Sequence, residues 1–197
     1  MSIKPVVRVC LFAVVSLSLA ACTTDSQPSA PSSSQTSAQT TQAASANSDD
    51  EMFASMMIVH HQQAIEMSDV VLAKDSIDPK VTALAIRIKE AQSPEITQLN
   101  GWLRQWGFNQ DEADHSMMGH DDGMMSDDDM SQLSAAQGAE ASRLFLEQMI
   151  VHHEGAITMA EEELHAGVNP DALALARTII DAQTAEIAEM RGLLEAL

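Results

Sequence analysis

The chain has few aromatic residues, few basic residues and only two cysteines. Phe, Trp and Tyr make up 3% of its 197 residues, and Tyr is absent. Because β-sandwiches and β-barrels draw on aromatic and β-branched residues, this scarcity argues against an all-β fold. Only 10 Lys and Arg residues face 29 Asp and Glu residues, which gives a formal net charge of −19. The shortage of basic residues argues against nucleic acid as a partner, since binding to it needs a basic footprint.

The residues that are abundant are helix formers and metal-binding types. The chain is rich in Ala, Leu, Met, Glu and Gln, which favour helices, so we expect an all-α fold. The sequence also holds 13 Met and seven His residues. Together with the acidic excess, they make metal cations the expected partners.

The first residues have the pattern of an export signal. Lys4 and Arg8 precede an apolar run over residues 9–20, which is shorter than the roughly 20 residues that a membrane span needs. The run ends in Leu19-Ala-Ala-Cys22 and resembles a bacterial lipoprotein signal over residues 1–21. The resemblance implies that Cys22 carries the lipid, which would anchor the protein to a membrane on its extracytoplasmic side, at the cell surface or in the periplasm. Since Cys10 leaves with the signal, no thiol remains for a disulfide, a nucleophile or a metal.

Residues 22–48 are composed almost entirely of Ser, Thr, Gln, Ala and Pro after the cysteine. Such a segment buries too little apolar surface to fold, so we expect a disordered tether. Residues 49–197 then form one domain.

An internal repeat organises this domain. The segment 53–67 returns as 145–159, with the shared core Met-Ile-Val-His-His, and 91–96 returns as 182–187. Each copy shows the 3-4 apolar spacing of a helical hairpin. The pattern and the caps at Asp78-Pro79 and Asn169-Pro170 predict helices over 49–74, 79–106, 138–166 and 170–195, with a short extra helix from Ser126 to about Ala136. Two such hairpins should pack as a four-helix bundle.

Polar residues occupy core positions of these predicted helices. His60 and His152 lie on the apolar seams, and Glu95 and Glu186 take the equivalent seam positions of the second and fourth helices. Counting from the turns places Gln92 and Gln183 at the same level, with His61 and His153 rotated about 100° around their helices. Because burying such groups unpaired is costly, they must pair with each other or bind an ion.

Two interpretations of this layer stay open. In one, His and Glu form a hydrogen-bonded layer that fixes the register of the helices. In the other, imidazoles and carboxylates bind a metal, joined by thioethers at the positions Met57, Met67, Met149 and Met159. Methionine at helical spacing is otherwise an adaptable core residue.

A second cluster of candidate ligands lies in the connection between the hairpins, residues 109–130. This segment is rich in Asp and Gly, so core packing does not explain its methionines. Its soft thioether and imidazole groups suit Cu(I), while imidazole and carboxylate accept Cu(II). The candidates are His115, Met117, Met118, His120, Met124 and Met125. The alternative is a solvated linker in which Met118, Met125 or Met130 packs on the bundle.

The repeated Met-Ile-Val-His-His motif and the Ala-Gln-x-x-Glu-Ile motif of each hairpin resemble the domain-of-unknown-function 305 family. The resemblance spans 49–197 and implies a ferritin-like four-helix bundle, commonly exported, with some members associated with copper binding and with copper or silver tolerance. By motif position it implies eight candidate ligands: His60, His61, His152, His153, Met57, Met67, Met149 and Met159.

The motif differs from that of ferritin-like di-iron enzymes. Those enzymes use Glu-x-x-His, whereas Met57 and Met149 stand three residues before the first histidine of each pair. Softer ligands favour copper over a di-iron oxidase. No Ser-His-Asp set, cysteine nucleophile or phosphate loop is visible in the sequence.

The leading hypothesis is therefore a lipid-anchored protein that binds copper or silver ions for sequestration, delivery or tolerance, without an organic cofactor. A ferritin-like metal-dependent oxidoreductase and a metal-free structural or interaction lipoprotein are the alternatives. Each of these three hypotheses is compatible with a homo-oligomer.

Overall fold

A computed structural model describes residues 45–108 and 123–197. Within these residues the chain forms five helices and no strand, which confirms the all-α prediction. The helices are α1 (Ser48–Leu72), α2 (Pro79–Trp106), α3 (Asp127–Ala135), α4 (Gly138–Ala166) and α5 (Pro170–Ala196). The predicted signal, the lipidation site Cys22, most of the tether and the loop candidates His115, Met117, Met118 and His120 lie outside the described residues.

Local sequence sets the helix starts. The Asp78 side chain accepts a hydrogen bond from the backbone N–H of Lys80 at the start of α2. At the start of α5, Asn169 accepts hydrogen bonds from two backbone N–H groups, and a proline follows each of these caps. Ser126 and Asp129 form a capping box at the start of α3. These caps satisfy N–H groups that a helix leaves without partners in its first turn.

The four long helices pack around two separate apolar clusters. α1 packs against α2, α4 packs against α5, and α1 and α4 pack against each other, with the short α3 lying on α1 and α4. The first apolar cluster surrounds Phe53, Leu99 and Ile179. The second surrounds Leu84 and Phe145 and includes residues from α3. The residues that separate the two clusters lie near the middle of each long helix, and they are polar.

No helix among the described residues is long and apolar enough to cross a membrane.

Candidate metal centre

Four buried histidines occupy the level between the two apolar clusters. His60 and His152 are each 1% exposed, and His61 and His153 are fully buried. The ring centroids of His60 and His152 are 3.7 Å apart, with 39° between the ring planes. The α1–α4 contact therefore brings the first histidine of each repeat into direct ring contact with the other.

The second histidine of each pair contacts a carboxylate instead. His61 Nε2 lies 2.7 Å from Glu95 Oε2, and His153 Nε2 lies 2.7 Å from Glu186 Oε2. One residue along a helix is a rotation of about 100°, so these rings face α2 and α5 while His60 and His152 face each other. Both glutamate side chains are 20% exposed, so they lie at the edge of the layer and not in its interior, where the seam pattern put them.

The amides predicted for this layer are present in it. Gln92 and Gln183 are each 3% exposed, and neither side-chain oxygen has a hydrogen-bond partner among the described residues. The layer thus combines four imidazoles, two amides and two carboxylates between apolar clusters. It retains acceptor groups that pairing within the layer does not satisfy.

His152 differs from the other three histidines in that both of its ring nitrogens lack a hydrogen-bond partner of normal geometry among the described residues. Burial lowers its pKa well below the usual value of 6.5, and the neighbouring His60, His153 and His61 lower it further. The His60 backbone opposes this shift, but neither ring nitrogen of His152 makes a hydrogen bond of normal geometry. His152 is therefore neutral, the form in which imidazole binds a metal.

The donor types fit copper, but the rings of His60 and His152 lie too close together to share one ion in this arrangement. Imidazole and thioether groups suit Cu(I), and imidazole also suits Cu(II). Two imidazoles that share one ion, with each nitrogen about 2.0–2.1 Å from it as at a zinc centre, hold their ring centroids well beyond the 3.7 Å seen between His60 and His152. In residues 45–108 and 123–197, no group of three His, Cys, Asp or Glu side chains is arranged to hold a metal ion. Shared ligation by this pair therefore requires the rings to separate.

The four helix methionines flank the layer on both sides and do not converge on one point. Met57 and Met159 belong to the first apolar cluster, whereas Met67 and Met149 belong to the second. Three of them are fully buried, and Met159 is 6% exposed. In the structure they contribute core packing at either side of the histidines.

The end of the connection is fixed on the α1–α4 face near the histidine level. The Gln63 side chain donates to Met125 O at 2.8 Å and accepts from Met125 N at 2.7 Å. Gly123 is buried against the backbone of Val151 and Gly155.

Two of the connection's methionines have a packing role. Met125 and Met130 both pack against the second apolar cluster, and Met124 is half-buried. For Met125 and Met130 the structure therefore agrees with the alternative interpretation, in which these methionines pack on the bundle, and not with the expectation that core packing leaves them unexplained.

A second buried polar group, formed by Asp50 and Glu163, lies at the end of the α1–α4 contact away from the histidine layer. The sequence patterns did not predict it. Asp50 is fully buried and accepts hydrogen bonds from the backbone N–H groups of Asn47, Val168 and Asn169. Glu163 is 2% exposed, and burial, followed by the neighbouring Asp50 carboxylate, raises its pKa to about 8. The sequence feature that indicates the burial of Glu163 is its position four residues after Met159, on the buried face of α4.

Within the described residues, five helices and one buried layer, built from a repeated His-His motif, define the class of protein, and comparisons with known proteins identify the family. The profile of the family described as Domain of unknown function (DUF305) matches residues 50–194. The chain belongs to this family, as the repeated motif predicted.

Solved structures resemble the chain over most of its length. A DUF305 fragment from Deinococcus radiodurans is 31% identical, with a TM-score of 0.71, and the match covers 78% of this chain and 99% of that one. A protein from Streptomyces coelicolor, described as a secreted DUF305 protein, is 34% identical, with a TM-score of 0.69, over 75% of this chain and 91% of that one.

A third relative is known with bound metal. CopM in its Cu(I)-bound form is 30% identical, with a TM-score of 0.62, over 75% of this chain and 96% of that one. CopM has also been solved in Cu(II)-bound and Ag-bound forms. No curated protein matches the chain.

Proposed function

We propose that this protein is exported, is anchored to a membrane by lipid on Cys22, and binds copper or silver ions that it sequesters or hands on. The observation that carries the proposal is the buried imidazole layer between the two apolar clusters. Within this layer His152 is neutral, and neither of its ring nitrogens has a hydrogen-bond partner of normal geometry among the described residues. Buried polar groups without partners cost free energy, and ion binding offsets that cost.

The chemistry of the surrounding residues supports copper over harder cations. Imidazoles and thioethers lie on both sides of the α1–α4 contact, while the layer's carboxylates already pair with His61 and His153. Soft and borderline donors select Cu(I), whereas Mg²⁺ and Ca²⁺ require several oxygen ligands. The copper- and silver-bound forms of CopM, at about 30% identity, support the same choice.

The proposal also assigns the architecture and the location. The two hairpins, α1–α2 and α4–α5, form a ferritin-like four-helix bundle that arose by duplication of one hairpin. The tether, residues 22–48, holds this bundle away from the membrane on the extracytoplasmic side. The repeat of 53–67 as 145–159 supports the duplication, and the Leu-Ala-Ala-Cys box supports the anchor.

Competitive titration tests the metal preference. The full chain is titrated with Cu(I), Ag(I) and Zn(II) against chromophoric chelators of known affinity. We expect Cu(I) and Ag(I) to bind more tightly than Zn(II), with a Kd below about 1 μM. If no copper state binds more tightly than about 1 μM, the proposed function is wrong.

The contribution of the connection is measured by a substitution that spares its packed end. Because Gly123 contacts α4, Met125 hydrogen-bonds to α1 and residues from Ser126 onward cap or form α3, only His115, Met117, Met118 and His120 are changed to Ser. We expect fewer bound ions per chain and an unchanged helical spectrum. Full retention of stoichiometry would remove the connection from the proposed site.

One observation favours a second function, a metal-free layer that fixes helix register. The bonds from His61 to Glu95 and from His153 to Glu186 are short and occur once in each hairpin. In that role the chain takes up no copper, and His61→Leu combined with Glu95→Leu leaves stability equal or higher while NMR signals broaden or double. If the wild type takes up copper and this variant does not, the role of the layer is not purely structural.

A further inference from the structure

A partly open cavity of about 70 Å³ lies at one end of the α1–α4 contact, away from the histidine layer. Three methionines and one buried carboxylate, Met52, Met56, Met159 and Glu163, line it together with Phe53, Ala166 and the exposed carboxylates of Asp49 and Glu162. Met52 is 55% exposed, which is unusual for a large apolar side chain, and Met56 is half-buried. The cavity is therefore reachable from solvent and rich in sulfur.

Helix geometry explains why these four side chains face the same space. Met52 and Met56 are four residues apart on α1, and Met159 and Glu163 are four residues apart on α4. Side chains with this spacing lie one above the other on one helix face. Each helix therefore contributes two donor groups to the same cavity.

Glu163 is the group that packing does not account for. It is 2% exposed, its carboxyl oxygens make no hydrogen bond of normal geometry among the described residues, and its polar neighbour is the carboxyl group of Asp50, with which it can share a proton. The nearby Asp50 already accepts three backbone N–H groups and offers no compensating charge. A buried carboxyl group in such surroundings needs a proton or a cation.

The duplication provides an internal comparison. In the repeat, Met52 and Met56 correspond to Leu144 and Gln148, and Glu163 corresponds to Val71. At that opposite end Val71 is fully buried in the second apolar cluster, and Gln148 donates a hydrogen bond to Asp129 O of α3. The same helix contact is thus completed there with Leu144 and Gln148 in place of Met52 and Met56 and without a buried acid, while Met125 and Met130 pack against the same cluster.

We propose that this cavity is a binding site for one soft monovalent cation, Cu(I) or Ag(I), held by the thioethers of Met52, Met56 and Met159 with the carboxylate of Glu163. The site rests on the proposed function, which it extends to a location outside the histidine layer. Thioethers are poor ligands for Zn²⁺, Mg²⁺ and Ca²⁺. The carboxylates of Asp49 and Glu162 also line the cavity but are exposed, and no group of three His, Cys, Asp or Glu side chains in the described part of the chain is arranged to hold a metal ion.

The test follows the methionines directly while Ag(I) is added. The full chain is labelled with ¹³C at the methionine methyl groups and titrated with Ag(I), and bound silver is counted after desalting. The test variant is Met52→Leu combined with Met56→Leu, and Glu163→Gln is a second variant. The control is Met190→Leu, which makes the same exchange in the second apolar cluster. Leu and Met have similar volumes, so these variants should keep the fold.

The site predicts that the methyl signals of Met52, Met56 and Met159 shift together. The double variant should bind one Ag(I) fewer per chain than the wild type and the Met190→Leu control, and Glu163→Gln should weaken the same site at least tenfold. If the wild type binds Ag(I) while the double variant binds as many ions and the Met159 signal does not move, this site is wrong and the proposed function stands. If the wild type binds no Ag(I) or Cu(I) at all, both are wrong.

Discussion

At the scale of single residues, the second histidine of each His-His pair relies on one carboxylate as its hydrogen-bond partner. His61 and His153 are fully buried, and each has one carboxylate within hydrogen-bond distance. Removing that carboxylate leaves a buried polar nitrogen unsatisfied, which costs more than an average hydrogen bond contributes. Glu95 and Glu186 therefore matter for stability although they are partly exposed.

We expect Glu95→Ala to lower the free energy of unfolding by about 1–3 kcal/mol, because His61 Nε2 loses its partner. Urea unfolding of the metal-free protein measures the change. Glu90→Ala is the matched control, since Glu90 is an exposed residue of the same helix and should change stability by less than about 0.5 kcal/mol. Equal effects of the two substitutions would contradict the role of the His61–Glu95 bond.

A second prediction at this scale concerns pH. The pKa of Glu163 in the folded chain is raised to about 8 from its ordinary 4.5, so the folded state holds a proton that the unfolded state has lost. The stability of the metal-free protein should therefore fall as pH rises from about 5 through about 8, and Glu163→Gln should flatten that fall. Parallel stability curves for the wild type and the variant between these pH values would show that Glu163 does not carry a raised pKa.

At the scale of secondary-structure elements, the end of the connection is held by one close backbone approach. Gly123 has a φ of 75°, and a Cβ built on it would lie 2.6 Å from Val151 O and 2.9 Å from Gly155 Cα. Only glycine meets both demands, since it accepts positive φ and leaves room for the α4 backbone. This approach places the described end of the connection, from Gly123 onward, beside the histidine layer.

Gly123→Ala should therefore destabilise the protein more than Gly107→Ala. Gly107 has a similar φ of 79°, but a Cβ there would meet nothing within 4 Å. The left-handed conformation costs either alanine about 1–2 kcal/mol. The clash with α4 should add about 1–3 kcal/mol at position 123 alone. Thermal unfolding of both variants measures the difference, and equal losses would mean that Gly123 does not pack on α4 as described.

At the scale of the whole molecule, the dominant feature is unbalanced charge. The formal net charge is −19, and among the described residues the ion pairs that join helices through basic side chains are Arg87–Glu189, Lys89–Asp69 and Arg191–Glu154. These pairs lie on the surface, where each contributes at most about 1 kcal/mol. Repulsion among the remaining carboxylates therefore opposes the compact state.

Salt should stabilise the metal-free protein. Raising NaCl from about 10 mM to about 500 mM screens the repulsion among carboxylates more than it weakens the few surface pairs. We expect Tm to increase with NaCl concentration in differential scanning calorimetry. A constant or falling Tm would show that surface ion pairs outweigh the net charge.

The helices were predictable because their signals are local. Asp78-Pro79, Asn169-Pro170 and Ser126 cap their helices as the sequence indicates, and the predicted ends of the long helices differ from the structure by at most two residues. The partners of individual side chains were less predictable. That His61 and not His60 contacts Glu95 depends on how α1 rotates against α2, and the burial of Glu163 and Gly123 depends on contacts between distant segments. Helical spacing indicates the buried face on which Glu163 lies, but no local pattern encodes the contacts of Gly123 or the choice between His60 and His61.

The central claim is that the buried imidazole layer binds copper, and the most direct test removes the His60–His152 contact. Cu(I) is titrated against a competing chelator into the wild type, into His60→Leu combined with His152→Leu, and into His165→Leu, which alters an exposed histidine at the end of α4. Circular dichroism verifies that all three are folded. We expect the double variant to bind at least one Cu(I) fewer per chain, while His165→Leu binds as the wild type does. Equal stoichiometry and affinity in all three proteins would contradict the claim.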